Sequence, residues 1–175
     1  MLKNVKTFHP EALIKSKEFR SFVENFESEL LRGISTITVL SIIEEYPDEG
    51  IYGYQLLKDL ERETNNLLVI EEGTLYPILR KMEREGILSS TKRKASGRLR
   101  RYYNLTEEGR KVLNHLQGFF AKVLEAISPL MEFQVKLPKE SFIYCPNCAN
   151  KIDLRDEGVK YCEVCGLYIE ELKKR

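Results

Sequence analysis

Four cysteines, Cys145, Cys148, Cys162 and Cys165, form two C-x-x-C pairs with thirteen residues between them, and the chain has no others. Two such pairs bring four thiolates around one ion, the closed tetrahedral arrangement of a structural zinc site. The same residues could instead form two disulfides or remain free thiols. In a reducing compartment, paired cysteines point to metal. A sulfur-only set also suits iron. Four cysteines leave no open position for a reactive water, which argues against hydrolysis at the metal. A segment of about 35 residues has little core of its own, so metal binding would supply its folding free energy, on the order of 10 kcal/mol.

The 175 residues are 42% hydrophobic and 31% charged, the balance of a globular chain rather than a disordered one. No apolar run approaches the roughly 20 residues that cross a bilayer. The start, Met1-Leu2-Lys3-Asn4-Val5-Lys6, lacks the apolar stretch of a secretory signal. A cytoplasmic protein with no membrane partner is expected. Net charge is +1, but nine Lys/Arg face two Glu between Arg80 and Arg101, so the remainder of the chain is acidic. That asymmetry is the electrostatic footprint of a phosphate-facing surface.

Hydrophobic periodicity predicts an amphipathic helix over 10–31, with Phe19, Phe22, Val23, Phe26 and Leu30 on one face. Gly33 is expected to interrupt it before a second, largely buried helix over 34–46. Pro47-Asp48-Glu49-Gly50 reads as a turn, and a third helix follows over 53–64 with Leu56, Leu57 and Leu60 inward. After the apolar segment 67–70 comes a fourth helix over 73–85. Pro77 is placed in its first turn, where N–H groups have no intrahelical acceptor, and Gly86 ends it. Two strand-like runs, 87–93 and 99–105, flank a Ser-Gly turn. Thr106 is the expected N-cap of a last helix, which carries Val112, Leu113, Leu116, Phe119, Phe120, Val123, Leu124 and Ile127 before Pro129. No internal repeat is evident beyond the two cysteine knuckles.

Over 34–105, helix, helix, helix and then a hairpin is the order of a winged helix-turn-helix, and the last of these three helices, 73–85, is the one placed to enter the major groove of double-stranded DNA. Thr74, Tyr76, Pro77, Arg80, Lys81 and Arg84 lie on that helix, and Lys92, Arg93, Lys94, Arg98 and Arg100 on the wing. Successive strand residues change face, so the wing cations cannot all meet DNA. Tyr76 is either a DNA or phosphate contact or part of the core. The stripe 112–127 is a packing surface or a dimer seam, and the first helix joins that seam or covers the winged domain.

Three blocks also resemble the PadR family of transcriptional regulators: Tyr52-Gly53-Tyr54-Gln55-Leu56-Leu57, the run from Glu72-Gly73-Thr74-Leu75-Tyr76-Pro77 to Gly86-Ile87-Leu88, and Arg101-Tyr102-Tyr103-Asn104-Leu105-Thr106-Glu107-Glu108-Gly109. The resemblance covers about 33–116. It implies a homodimer that binds operator DNA, usually as a repressor, with Thr74, Tyr76 and Pro77 in the recognition-helix motif and Gly97-Arg98 in the wing. The first helix is longer than the usual family start. A single helix plus the cysteine segment replaces the multi-helix C-terminal domain of many relatives. The cysteine segment resembles a zinc ribbon; Gly166 suits its knuckle, while Ala149 stands where glycine would be expected.

The expected fold class is mainly α with a small β wing, plus a small C-terminal zinc ribbon. Residues 1–32 form an N-terminal amphipathic helix, 33–105 the winged helix-turn-helix, 106–129 a dimerisation helix, 130–141 a linker and 142–175 the ribbon. The expected function is sequence-specific regulation of transcription by a homodimer. A small-molecule effector is a further partner. The alternative function is an interaction module whose zinc ribbon or winged domain docks on the transcription machinery, with weak, unspecific DNA binding. A thiol-based sensor is a third reading. No glycine-rich phosphate loop or Ser/His/Asp set occurs, and an enzyme is not expected.

Overall fold

The computed structural model describes residues 16–66, 68–95, 97–131, 142–156 and 158–169. Residues 10–15 of the first expected helix, most of the expected linker (132–141) and residues 170–175 lie outside that set. The chain divides into two compact units, Met1–Arg110 and Lys111–Arg175.

The first unit holds α1 (Lys17–Glu44), β1 (Ile51–Tyr52), α2 (Gly53–Glu63), α3 (Glu72–Arg84), β2 (Leu88–Ala95), β3 (Arg98–Leu105) and the start of α4 (Glu107–Ile127). Its strands form an antiparallel sheet in the order β1-β3-β2. The core contains Val39, Leu40 and Ile43 of α1, Leu56 and Leu60 of α2, and Leu75 and Leu79 of α3. Ile51, Leu88 and Tyr103 join them from the sheet. Each such aliphatic side chain contributes about 1.5–3 kcal/mol by leaving water.

The break expected at Gly33 is absent, and α1 runs through it. One glycine in a helix interior costs only about 1 kcal/mol against alanine, too little to stop two helical halves. Thr38 and Ser41 also spend their hydroxyls on the Ile34 and Ile37 carbonyls, 2.9 and 3.0 Å away. Pro77 requires a second correction. Because α3 already begins at Glu72, Pro77 lies beyond the first turn and removes one ladder bond. Burial of Leu75, Leu79 and Met82 on both sides of it holds the helix together. The strand β1 was not expected, since two residues carry no periodicity; its pairing with Tyr103 and Tyr102 defines it.

Asp59 is fully buried on the otherwise leucine-lined face of α2. Tyr46 donates to one of its oxygens at 2.7 Å, and Gln55 and Arg62 reach the other at 2.9 and 2.7 Å. The Asp59 carboxylate raises the Tyr46 pKa above the ordinary phenolic value. This network fastens the end of α1 to α2. Asn104 ties the same corner to β3, donating to the Tyr46 and Pro47 carbonyls at 3.2 and 3.0 Å.

The second unit contains most of α4, a 3-10 turn at Ser128–Leu130, and the hairpin β4 (Phe142–Tyr144) and β5 (Lys151–Asp153). A bridge pairs Tyr161 with Tyr168. Its core is Cys145, Ile152, Cys162 and Ile169. The module is a repeat beyond the knuckles themselves, for Ile152 and Ile169 occupy equivalent positions after Cys145 and Cys162. Among the described residues, no helix is long and apolar enough to cross a membrane.

Replacing Asp59 by alanine orphans the Tyr46 hydroxyl and the Gln55 amide and should cost about 2–3 kcal/mol. Thermal unfolding followed by circular dichroism should register this as a clear fall in Tm. An unchanged Tm would remove the network from the account of the α1–α2 corner.

Candidate nucleic-acid interface and metal centre

The outer face of α3 exposes Pro77, Arg80, Lys81 and Arg84, with Thr74 half-buried at its start. Tyr76 is turned partly inward. A Cβ on Gly53 would stand 2.7 Å from its ring edge and hydroxyl, so the start of α2 carries glycine where Tyr76 packs. Burial raises the Tyr76 pKa, with Glu72 adding to the effect. A solvent-open concavity beside α3 is lined by Pro77, Arg80, Glu83, Arg84 and Arg101.

The wing is held to α3 by one carboxylate that sequence reasoning missed. Glu83 accepts from Ser90 of β2 at 2.5 Å and from Arg101 of β3 at 3.0 Å. Both wing strands therefore bear on α3 through a single side chain. The signal was available in the hairpin register, which pairs Ser90 with Tyr103 and Lys92 with Arg101. Residues paired across the ladder share a face.

That register sorts the wing cations. Lys92 and Lys94 share a face with Arg101 and Ser90, the side bound to α3, and Leu99 stands 63% exposed beside them. Arg93, Arg98 and Arg100 lie on the other face. There Arg93 sits 4.7 Å over the Tyr102 ring and Arg100 sits 4.4 Å over Tyr52. The two tyrosines pack at 5.5 Å, so a pair of rings lies between two guanidinium groups. Gly97 closes the hairpin with φ +76°, a conformation glycine enters cheaply.

In the second unit, the four cysteine sulfurs all lie within 4.8 Å of one another. Two approaches cross between the knuckles, Cys145 to Cys165 and Cys148 to Cys162, each 3.5 Å. Zn–S bonds of about 2.3 Å in a tetrahedron require sulfurs about 3.8 Å apart, so the donor set fits such an ion. The knuckles match bond for bond. Ala149 and Gly166 donate to the carbonyls of Cys145 and Cys162, while the N–H groups of those cysteines donate to Asn150 and Leu167, all at 2.8 Å. Ala149 accordingly takes the left-handed conformation, φ 59°, that Gly166 takes at 72°. For alanine this is strained by roughly 1–2 kcal/mol.

Burial pushes the Cys148 thiol up to about 12 and raises that of Cys145. The Asn147 side chain and the Leu167 N–H hold Cys165 down to about 6. His115 of α4 donates from Nδ1 to the Cys148 carbonyl at 2.8 Å, a contact the sequence did not disclose. The expected seam on α4 is mostly half-buried, with Phe119 exposed. On α1, by contrast, Phe19, Phe22, Phe26 and Leu30 form one exposed stripe, Phe22 being 72% accessible.

Residues 39–115 match the family model of the Transcriptional regulator PadR-like family. An uncharacterised protein of Lysinibacillus sphaericus is 31% identical over 106 residues, covering 60% of this chain and 94% of that protein. Transcriptional regulator Rv3488 of Mycobacterium tuberculosis is 36% identical over 74 residues, or 42% of this chain and 66% of that protein. A crystal structure of a PadR family transcriptional regulator from Eggerthella lenta superposes with a TM-score of 0.56 and 30% identity. It covers 68% of this chain and 100% of its own. The four cysteines lie outside the matched family segment. The chain belongs to the PadR family, whose members are regulators of transcription and not enzymes.

Proposed function

We propose that the protein is a homodimeric, sequence-specific DNA-binding repressor of the cytoplasm, carrying a structural zinc ion on Cys145, Cys148, Cys162 and Cys165. The observation that carries the DNA reading is the joining of α3 to the wing through Glu83, which makes one cationic surface from Arg80, Lys81, Arg84, Lys92 and Lys94. Thr74, Tyr76 and Pro77 would meet base edges or the sugar-phosphate edge, as the first turns of recognition helices do. Arg93, Arg98 and Arg100, on the far side of the hairpin, would reach phosphates across the groove from Lys92 and Lys94.

The partner for the α1 stripe is a second copy of the chain. An exposed row of three phenylalanines and a leucine is unusual on a lone globular protein, and a two-fold dimer would set two recognition helices about one DNA turn apart, roughly 34–36 Å. Phe19→Glu together with Phe22→Glu should convert the dimer to a monomer in sedimentation velocity. A variant that still sediments as a dimer places the seam elsewhere.

Fluorescence anisotropy on the gene's own upstream duplex and on a random duplex, across a salt series, tests specificity. The slope of log K against log salt should flatten by about 0.9 for every phosphate that a variant leaves unneutralised. Lys92→Ala with Lys94→Ala, and separately Arg98→Ala with Arg100→Ala, should therefore each reduce it by about 1–2. Unchanged slopes in both pairs would refute the wing assignment.

The metal reading rests on the sulfur geometry. Purified protein should carry one ion per chain, and elemental analysis distinguishes zinc from iron. Cys148→Ser with Cys165→Ser should abolish uptake, and retention should weaken as pH falls because protons compete for the thiolates. A metal-free purified chain that takes up no zinc would contradict the assignment.

A further inference from the structure

Gly118 lies buried in the middle of α4. A Cβ placed there would stand 2.8 Å from Tyr144 Cδ1, 2.9 Å from the Ala149 carbonyl carbon, and closer still to that carbonyl's oxygen. Only a residue without a side chain admits the first cysteine hairpin this close to the helix. One turn earlier, His115 donates to the carbonyl of Cys148. Positions 115 and 118 share a helix face, and Cys148 and Ala149 are consecutive in the knuckle. The first knuckle is thus seated on α4 by two neighbouring contacts.

Ala149 holds the left-handed region in this knuckle, and the four sulfurs gathered around it can all ionise together only with a cation among them. At its other end, α4 is anchored by Thr106. Its hydroxyl caps Gly109 N–H at 2.9 Å and donates to the Gly86 carbonyl at 2.7 Å, just past the end of the recognition helix. The helix between these anchors is continuous from Glu107 to Ile127.

We propose that the four-cysteine site is an effector site for a thiophilic divalent cation. Binding of the ion fixes the first knuckle on Gly118 and His115, and α4, so held, favours the DNA-binding state of the recognition helix. The proposal rests on the four cysteines holding a metal ion and adds that the ion regulates. A ligand shifts an equilibrium only by its differential affinity for the two states, and the coupling is reciprocal. Zinc must therefore tighten DNA binding by the same factor as DNA tightens zinc binding.

The test uses the full chain, zinc-loaded or stripped with a chelator. Anisotropy on the upstream duplex gives DNA affinity, and competition with a chromophoric chelator gives zinc affinity with and without DNA. The expected factor is about tenfold in both directions. Gly118→Ala should still bind one ion, seen as thiolate-to-cobalt absorption, while the factor falls to about one. His115→Ala should reduce the factor and covers the case in which the glycine variant fails to fold. Gly33→Ala, where an added Cβ meets nothing within 4 Å, should leave the factor intact.

Hydrogen exchange over residues 112–124 reads the same coupling without DNA: zinc should protect this stretch in wild type and not in Gly118→Ala. Equal DNA affinity and equal exchange with and without zinc would overturn the proposal, as would a factor that survives both variants. A wild-type chain that takes up no metal sinks the metal reading as well. Loaded protein indifferent to DNA sequence sinks only the operator reading, and exchange then decides the coupling.

Discussion

A strand turns each successive side chain to the opposite face, and that alternation governs what the wing can offer to DNA. It directs Ser90 and Arg101 to Glu83, and so joins the hairpin to α3. It also divides the remaining cations into two sets whose environments differ. Lys92 and Lys94 stand beside the Glu83 clamp, whereas Arg93 and Arg100 lie over tyrosine rings. Arginine suits the second setting because its flat, weakly hydrated cation stacks well, while the compact ammonium of lysine suits open solvent. A slip of one residue in the hairpin register would exchange the two sets and break the clamp.

Much of this architecture was legible in the sequence. The helices α2 and α3 and the two wing strands announce themselves through apolar spacing, Gly86, the Ser-Gly turn and Thr106. What was not legible has two causes, the strength of a local helical ladder and partners distant in sequence. Gly33 signals a break, but the hydrogen-bond ladder on either side outweighs one glycine. Asp59 looks like an ordinary solvated acid on α2 until Tyr46, Gln55 and Arg62 converge on it. The strand β1 exists only because Tyr102 and Tyr103 pair with it.

The candidate sites divide in the same way. Metal ligation depends on spacing within a short segment, and the four cysteines do converge. The basic segment was visible as charge, but its division between faces required the register. His115 reads as any helix-surface histidine and Gly118 as any weak point in a helix, and nothing in the local sequence says which backbone arrives there. The knuckle that does arrive lies some thirty positions further along the chain.

The two matching halves of the cysteine module carry an evolutionary consequence. Halves of equal geometry begin with equal freedom to vary, but a helix can rest on only one of them. Around Tyr144 to Ala149, any change must satisfy the four-cysteine cluster, the strained backbone at Ala149 and the surface of α4 together. Around Tyr161 to Leu167, where Tyr161 and Val164 face outward, the cluster and the turn at Gly166 are the main demands. Docking breaks the equivalence of the halves: a larger residue at Gly118 would meet the first knuckle at Ala149, whereas Tyr161 and Val164 of the second stand open to solvent.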